Sequence, residues 1–523
     1  MNKPHRILAI GLIVILIMLS VLAVSTSFVD PLLQVKWYSV WLVTLLLLIF
    51  LSSLHLLNKE IPLLTYVSGA EFGILAACFI LSLLSLYEYL GDTLIDRVFM
   101  VGTFDNVAGL SSCLLFSFPV GLIPEYRFRS KIAKTAVWII KILSVLVLIL
   151  YKSRIGLIGV CLFLIYFFLK GNRYRRWIIS SALVVCVVLA TFCLKTDSSK
   201  GRWFILQRSL EMVADKPFTG WGYRGFEAHY MDRQADFFAT HADSEYDMLA
   251  DNIHHPLNEY VKIAVDYGMV GLLTVCIFLY FIVSYYKNNT SEYGRLGMVI
   301  LALILLMSFF SYPLTYPFTW LMIGFSLILI YHRWIRVKIN QSRLGHLVPA
   351  YIITISVLLL FHVGTDIRNN LEWGVVADKA DHGMAREMLP RYEQLYNAMG
   401  DNPMFLYNYT AALLLSGKFK DAIRLGTETD MLVADYDTQI LLGDAYRFNN
   451  DSYEAIRCYK TAGSMCPSKF MPLYDIYCIY KNIQDTISCK RYSDLILNKR
   501  IKKHSAVIDN IRKEVQYDRK NFF

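Results

Sequence analysis

Two adjacent histidines, His254 and His255, open the run HHPLNEYVKIAVDYG, and several arginines precede them in GRWFILQRSLEMVADKPFTGWGYRGF. An imidazole titrating near neutrality can take a proton from a hydroxyl, and Glu259 lies close enough in sequence to orient one. Guanidinium groups grip phosphates through paired hydrogen bonds. Arg202, Arg208 and Arg224 recur beside the aromatic residues Trp203, Phe204, Trp221 and Tyr223. Earlier in the chain, Arg154 follows Lys152 and Ser153 in YKSRIGLIGV, where two apolar runs meet. A cation at that depth suits a lipid-linked phosphate, although a snorkelling arginine needs no ligand. Loop arginines are often merely solvated, and a histidine before a helix often caps it. The glycines Gly220, Gly222 and Gly225 spell GxGxxG, but no βαβ context surrounds them, so a phosphate loop is weakly indicated. His229 and His241 stand at irregular spacing from the histidine pair, and neither metal nor cofactor is expected.

These residues must be positioned by a membrane protein. Of the 523 residues 56% are hydrophobic, and the apolar excess fills the chain from Ile7 to about Val363. Mean hydropathy is +0.43. Runs near the ~20 residues that a bilayer crossing requires fall at about 7–29, 37–57, 68–87, 107–123, 133–151, 155–169, 177–194, 269–286, 296–312, 314–331 and 348–363. They predict an all-α polytopic bundle of about eleven spans, ten to twelve allowing for the short ones. The first run is long enough to read as a span rather than a cleaved leader. The ten cysteines include no CxxC pair and read as small buried hydrophobes.

The net charge of +10 does not indicate nucleic acid, because much of it sits in short loops. The basic segments PEYRFRSK around Arg127, KGNRYRR at Lys170 to Arg176 and HRWIRVKINQSR at His332 to Arg343 fall on one side; the other short loops hold Lys36, Arg97, Lys152 and Arg154. The positive-inside rule places the basic segments in the cytoplasm. The long loop at about 195–268 and the C-terminal domain then lie outside. The boundaries expected are a membrane domain over 1–363 and a soluble helical domain over 364–523. In the latter, LLGDAYRFNNDSYEAIRCYKTAGSMCP places Leu442, Gly443, Tyr446, Ala455, Tyr459, Ala462 and Pro467 at tetratricopeptide spacing. A weaker unit, FLYNYTAALLLSGKFKDAI, precedes it, so repeats are expected over about 402–470, as an interaction module for an envelope protein partner. An ordinary helical hairpin is the alternative.

The ordered set GTFDN (Gly102 to Asn106), SRIG (Ser153 to Gly156), GRW with DKPFTGWGYRGF, and HHPLNEYVKIAVDYGMVGL resembles the O-antigen ligase and polymerase superfamily over about residues 70 to 330. The resemblance implies a metal-independent, periplasmic glycosyltransferase of the bacterial inner membrane, using a polyprenyl-pyrophosphate-linked glycan as donor. The acceptor it implies is lipid A core in the ligase branch, another lipid-linked repeat unit in the polymerase branch, or a protein hydroxyl in a third. Arg154 matches the family's membrane-edge arginine and Arg202 its loop arginine, both implied to hold the pyrophosphate, with Arg208 and Arg224 as further donor-binding candidates. His255 matches the first histidine of an HPHNEY-like stretch whose second histidine is Leu257 here. Asn258, Glu259 and Tyr260 are kept, and the base is left between His254 and His255.

The leading expectation is therefore an envelope glycan ligase, with polymerase or protein glycosylation as the alternative. A transporter would need charges facing a midplane cavity, and the expected spans carry few beyond Glu71 and Lys141. A membrane-anchored scaffold would need no loop rich in arginine and histidine.

Overall fold

The computed structural model describes residues 3–57, 59, 62–91, 101–120, 131–168, 196–241, 244–341 and 347–522. The chain is an all-helical polytopic membrane protein, with no strand among the described residues. Two compact units are formed: Met1–Leu194 with Leu257–Glu259 and Thr274–Leu371, and Lys195–Pro256 with Tyr260–Leu273 and Glu372–Phe523.

The first unit contains α1 (Lys3–Leu22), α2 (Leu33–Leu56), α3 (Leu63–Leu90), α4 (Val107–Leu115), α5 (Lys131–Leu150) and α6 (Arg154–Phe168). The second begins with α7 (Thr196–Asp215) and α8 (Gly225–Thr240). Helix α9 (Glu259–Asn288) contributes to both units, and α10 (Glu292–Phe310) and α11 (Pro317–Gln341) belong to the first. Helix α12 (Leu347–Lys379) runs from the first unit into the second.

Among the described residues seven stretches are long and apolar enough to cross a membrane: α1, α2, α3, α5, α9, α10 and the stretch that opens with α12. The expected run at 107–123 yields only the nine-residue α4. At about 1.5 Å per residue it is far too short for a hydrocarbon core of about 30 Å. The run at 155–169 forms the 15-residue α6. The expected span at 177–194 lies outside the described residues, as do the basic segments at Arg127 and at Lys170 to Arg176 and the loop residue Arg97. Close helix approach in the first unit follows from small residues. A Cβ at Gly69 would stand 3.2 Å from the Ile13 side chain, and one at Gly73 3.1 Å from Ile17, so α3 lies directly on α1.

The second unit continues with α13 (Ala385–Met399), α14 (Pro403–Leu415), α15 (Phe419–Leu432), α16 (Tyr436–Phe448), α17 (Ser452–Met465), α18 (Met471–Asn482), α19 (Thr486–Asn498) and α20 (Ala506–Phe522). Successive helices from α14 to α19 pack as hairpins with one recurrent turn. Gly417, Asn450 and Gln484 all have positive φ (77°, 63° and 59°). In each turn the following amide reaches back to the same kind of carbonyl: Lys418 to Leu413 (3.0 Å), Asp451 to Tyr446 (2.9 Å) and Asp485 to Tyr480 (3.0 Å). This is the Schellman closure of a helix, and it recurs after 33 and then 34 residues. Within the α16–α17 hairpin a Cβ on Gly443 would lie 2.4 Å from the Tyr459 ring, so the small residue is what lets the pair close.

Candidate functional site

Arg154 is placed by two helix ends. Helix α5 closes with Lys152 at φ 51°, its amide bonded to Ile149 O (3.0 Å) and that of Ser153 to Leu148 O (2.9 Å). The Ser153 hydroxyl then accepts from the Gly156 amide at 3.1 Å and caps α6, which makes Arg154 the first helical residue. A side chain at Gly156 would collide with Leu148 (2.4 Å). Arg154 thus sits half-buried where two apolar helices end, as the sequence predicts.

The same end of the first unit also holds GTFDN. Ser153 is hydrogen-bonded to Ser111 in α4, and α4 is capped by Asn106 of GTFDN, which accepts from the Gly109 amide at 2.9 Å. The Asn106 amide group donates to the hydroxyls of Tyr312 (2.6 Å) and Tyr316 (2.7 Å), and Tyr316 donates to Asp105 at 2.8 Å. Between these tyrosines the Leu314 amide donates to the buried Glu259 carboxylate at 2.8 Å, and Trp37 donates to Thr315 O at 3.1 Å. Asn258 donates to Phe309 O at 3.0 Å. Lys36, fully buried nearby, donates to Ala23 O, Leu32 O and Thr103 O at 3.0, 2.9 and 2.6 Å. Sequence reasoning missed Asp105, Asn106, Tyr312 and Tyr316 as a polar cluster. The only signals were the turn-and-cap pattern of GTFDN and two tyrosines four apart in YPLTYP.

In the second unit the glycines of PFTGWGYRG have a structural task. Helix α9 breaks at Gly268 (φ 61°, ψ −155°). The turn after α7 fills that break with four backbone bonds: Trp221 N to Val265 O and Gly222 N to Asp266 O (both 2.8 Å), Met269 N to Pro217 O (2.8 Å) and Val270 N to Phe218 O (3.2 Å). A Cβ on Gly268 would fall 2.4 Å from the Phe218 carbonyl, and one on Gly220 2.5 Å from Val265 O. These glycines allow two backbones to cross. They form no phosphate loop.

The clasp also fixes the charges. Buried Asp266 accepts from the Phe226 amide at the start of α8 (2.9 Å) and faces Lys262 at 3.4 Å. Lys262 reaches Glu227 at 3.3 Å, and Arg224, held at φ 60°, pairs with Glu227 at 2.6 Å. Burial pushes the Glu227 carboxyl up, but Lys262 and Arg224 outweigh it and hold the group below its usual range. Arg208 pairs with Glu211 (2.8 Å) and lies over the Phe237 ring at 4.4 Å, with its side chain 16% exposed. Its guanidinium is thus held by one ion pair and a ring face. Arg202 is six residues earlier, about 120° around the helix at 3.6 residues per turn, so the two cannot share a face. Arg202 and Tyr260 are both half-buried.

Of the two histidines, His255 is half-buried and His254 more exposed. The His254 Nε2 lies 3.2 Å from Asp435 Oδ2. The same carboxylate oxygen accepts from Asn252 Nδ2 at 2.7 Å, and Asp435 Oδ1 accepts the Asp437 and Thr438 amides (2.7 and 3.1 Å), capping α16. The Asp435 hydrogen bond raises the His254 pKa against the effect of burial. Burial likewise raises Asp435, but the bonds from His254 and Asn252 prevail and keep it low. Leu257, in place of the expected second histidine, occupies the left-handed region at φ 57°. Among the described residues no three His, Cys, Asp or Glu side chains converge to hold a metal ion.

No curated protein matches the chain. The family model described as O-Antigen ligase matches residues 139–276. The matched stretch begins inside α5, takes in Arg154, the glycine clasp and HHPLNEY, and ends inside α9. It is over these residues that the chain is similar to O-antigen ligases.

Proposed function

We propose that this chain is a membrane glycosyltransferase that moves a glycan from a polyprenyl pyrophosphate onto an acceptor hydroxyl at the periplasmic face of the inner membrane. The acceptor in this reading is lipid A core. The observation that carries it is the O-antigen ligase match over residues 139–276, which spans the membrane-edge arginine and the histidine pair alike. Pyrophosphate is already a good leaving group, so the enzyme must neutralise its charge and deprotonate an acceptor, which needs no metal. Arg154 and Arg202 hold the pyrophosphate, with Arg224 as a further contact through the Glu227 network. One of His254 and His255 takes the acceptor proton, and Asn258, Glu259 and Tyr260 support the stretch that presents them. The contacts of Arg208 with Glu211 and Phe237 favour a packing role for that residue.

The C-terminal hairpins are proposed to be tetratricopeptide repeats. The recurrence of one turn geometry every 33 or 34 residues supports this, and adds a third unit over Met471–Asn498 to the two expected from sequence.

Lipopolysaccharide and glycoprotein profiles of a deletion strain test the function. Loss of long chains from the lipid core, restored by the parent gene but not by Arg154→Ala or the His254→Ala/His255→Ala double variant, is the expected result. Retention of single repeat units would indicate a polymerase instead. Unchanged lipopolysaccharide with altered glycoproteins would move the acceptor to protein, and full complementation by both variants would defeat the site.

A further inference from the structure

The geometry points to Asp435, a residue of the C-terminal hairpin domain, as the positioning residue that makes His254 the proton acceptor of the transfer reaction. This rests on the transferase reading above.

An imidazole acts as a base only through a nitrogen with a free lone pair, and the partner of its other nitrogen decides which one that is. Asp435 stands 3.2 Å from His254 Nε2. A carboxylate can only accept, so it fixes the proton on Nε2 and leaves the lone pair on Nδ1. The carboxylate is itself held rigidly. Asn252 donates to Oδ2 at 2.7 Å, the Tyr436 amide returns a bond to Asn252 at 3.4 Å, and two amides of the first turn of α16 bind Oδ1. The negative groups acting on His254 are Asp435, Glu227 and Asp437, and burial is the opposing effect. Together they lift its basicity while the side chain keeps about half its surface open (52%) for an acceptor.

The hairpin domain is fastened to this loop at other points as well. Gln234 donates to Met465 O at 2.6 Å, the Ala434 amide to Glu227 O at 3.1 Å, and Arg500 pairs with Asp247 at 2.6 Å. Lys502 pairs with Asp251 at 3.3 Å. A domain that reads from sequence as a detachable interaction module thus supplies part of the site. Truncation after about residue 364 would remove Asp435 with the repeats, and so could not tell an enzyme from a scaffold.

In the reaction the acceptor hydroxyl gives its proton to His254 Nδ1 while its oxygen bonds to the anomeric carbon of the donor. The bond from that carbon to the pyrophosphate oxygen breaks, and the pyrophosphate leaves with the electron pair.

Asp435→Asn is the discriminating variant. Asparagine is as good a helix N-cap as aspartate, so α16 is retained. The amide, however, can present a donor to Nε2 and moves the imidazole proton to Nδ1. In membranes carrying the full-length chain, transfer is expected to fall by about 10²–10⁴-fold, the usual contribution of a positioned base. The acid limb of the pH–rate profile should also shift to lower pH, because a less basic His254 deprotonates sooner. His254→Ala should lose as much, the double variant no more than either, and Asp435→Glu should restore part of the rate. Transfer at the parental rate and profile in Asp435→Asn would overturn the proposal. A rate loss accompanied by a lower melting temperature and an unmoved acid limb would also overturn it, since that is the signature of a merely structural aspartate. Absence of transfer by the parent chain is a different outcome and defeats the function reading itself.

Discussion

Gly268→Ala should unlatch the loop from helix α9. The residue sits at φ 61°, ψ −155°, a region essentially closed to side chains, which costs about 1–3 kcal/mol. The new methyl would meet the Phe218 carbonyl carbon and oxygen at 2.4 Å and the Gly220 amide at 2.8 Å. All three are backbone atoms, so no side-chain rotation relieves the clash. The turn can withdraw only by giving up the bonds it exchanges with residues 265–270. At about 1 kcal/mol for each bond lost, two or three broken bonds bring the total to roughly 3–6 kcal/mol, a large share of a typical folding free energy. Fluorescence-detected melting of the detergent-solubilised chain should show the midpoint falling by roughly 10 °C. Proteolysis should open the Lys216–Arg224 turn, and transfer should be lost. Gly201→Ala is the paired control: its Cβ meets only Leu249 at 4.0 Å, and alanine in a helix should stabilise by up to about 1 kcal/mol. If Gly268→Ala melts with the parent and keeps an uncut turn, the clasp does not hold the loop.

Two further outcomes follow from the second unit. Glu227 is held below its usual pKa by Lys262 and Arg224 against burial, so the stability it contributes is complete above its unfolded pKa and is lost as pH falls through the lower folded value. Glu227→Gln should flatten the decline in melting temperature as pH falls below the ordinary carboxylate range, and an unchanged slope would remove Glu227 as its source. Gln484→Gly should raise stability by about 0.5–1 kcal/mol, because Gln484 pays the left-handed penalty (φ 59°) that Gly417 avoids in the equivalent turn. A lower melting point for that variant would show that the Gln484 side chain makes a contact worth more than the relief.

The Arg154 site shows how far local signals reach. Its position needs only the end of one apolar run, a Schellman turn at Lys152 and a serine cap, all within nine residues, and it was legible as it stands. The α16–α17 hairpin was legible for the same reason, since Gly443 and Tyr459 meet within one unit. The glycines after α7 marked a turn but not what it packs against. Their spacing resembles a phosphate loop, yet their partners lie more than 40 residues ahead in α9. The third hairpin, with Gln484 at its turn, was not read from the sequence. The fourth apolar run gave only a nine-residue helix, because hydropathy reports burial and cannot by itself distinguish a span from a short buried helix.

The sequence alone determined that this is a helical membrane protein with a long loop of arginines, glycines and paired histidines, because hydrophobic runs and helix caps are local properties of a chain. Only the tertiary structure decided what each of those residues touches. Asp435 reaches His254 across 181 positions, Leu314 satisfies Glu259 across 55, and Gly268 admits a turn from before α8. Such pairings depend on how packed helices bring distant polar groups to about 3 Å from one another, and no periodicity in the chain encodes that distance.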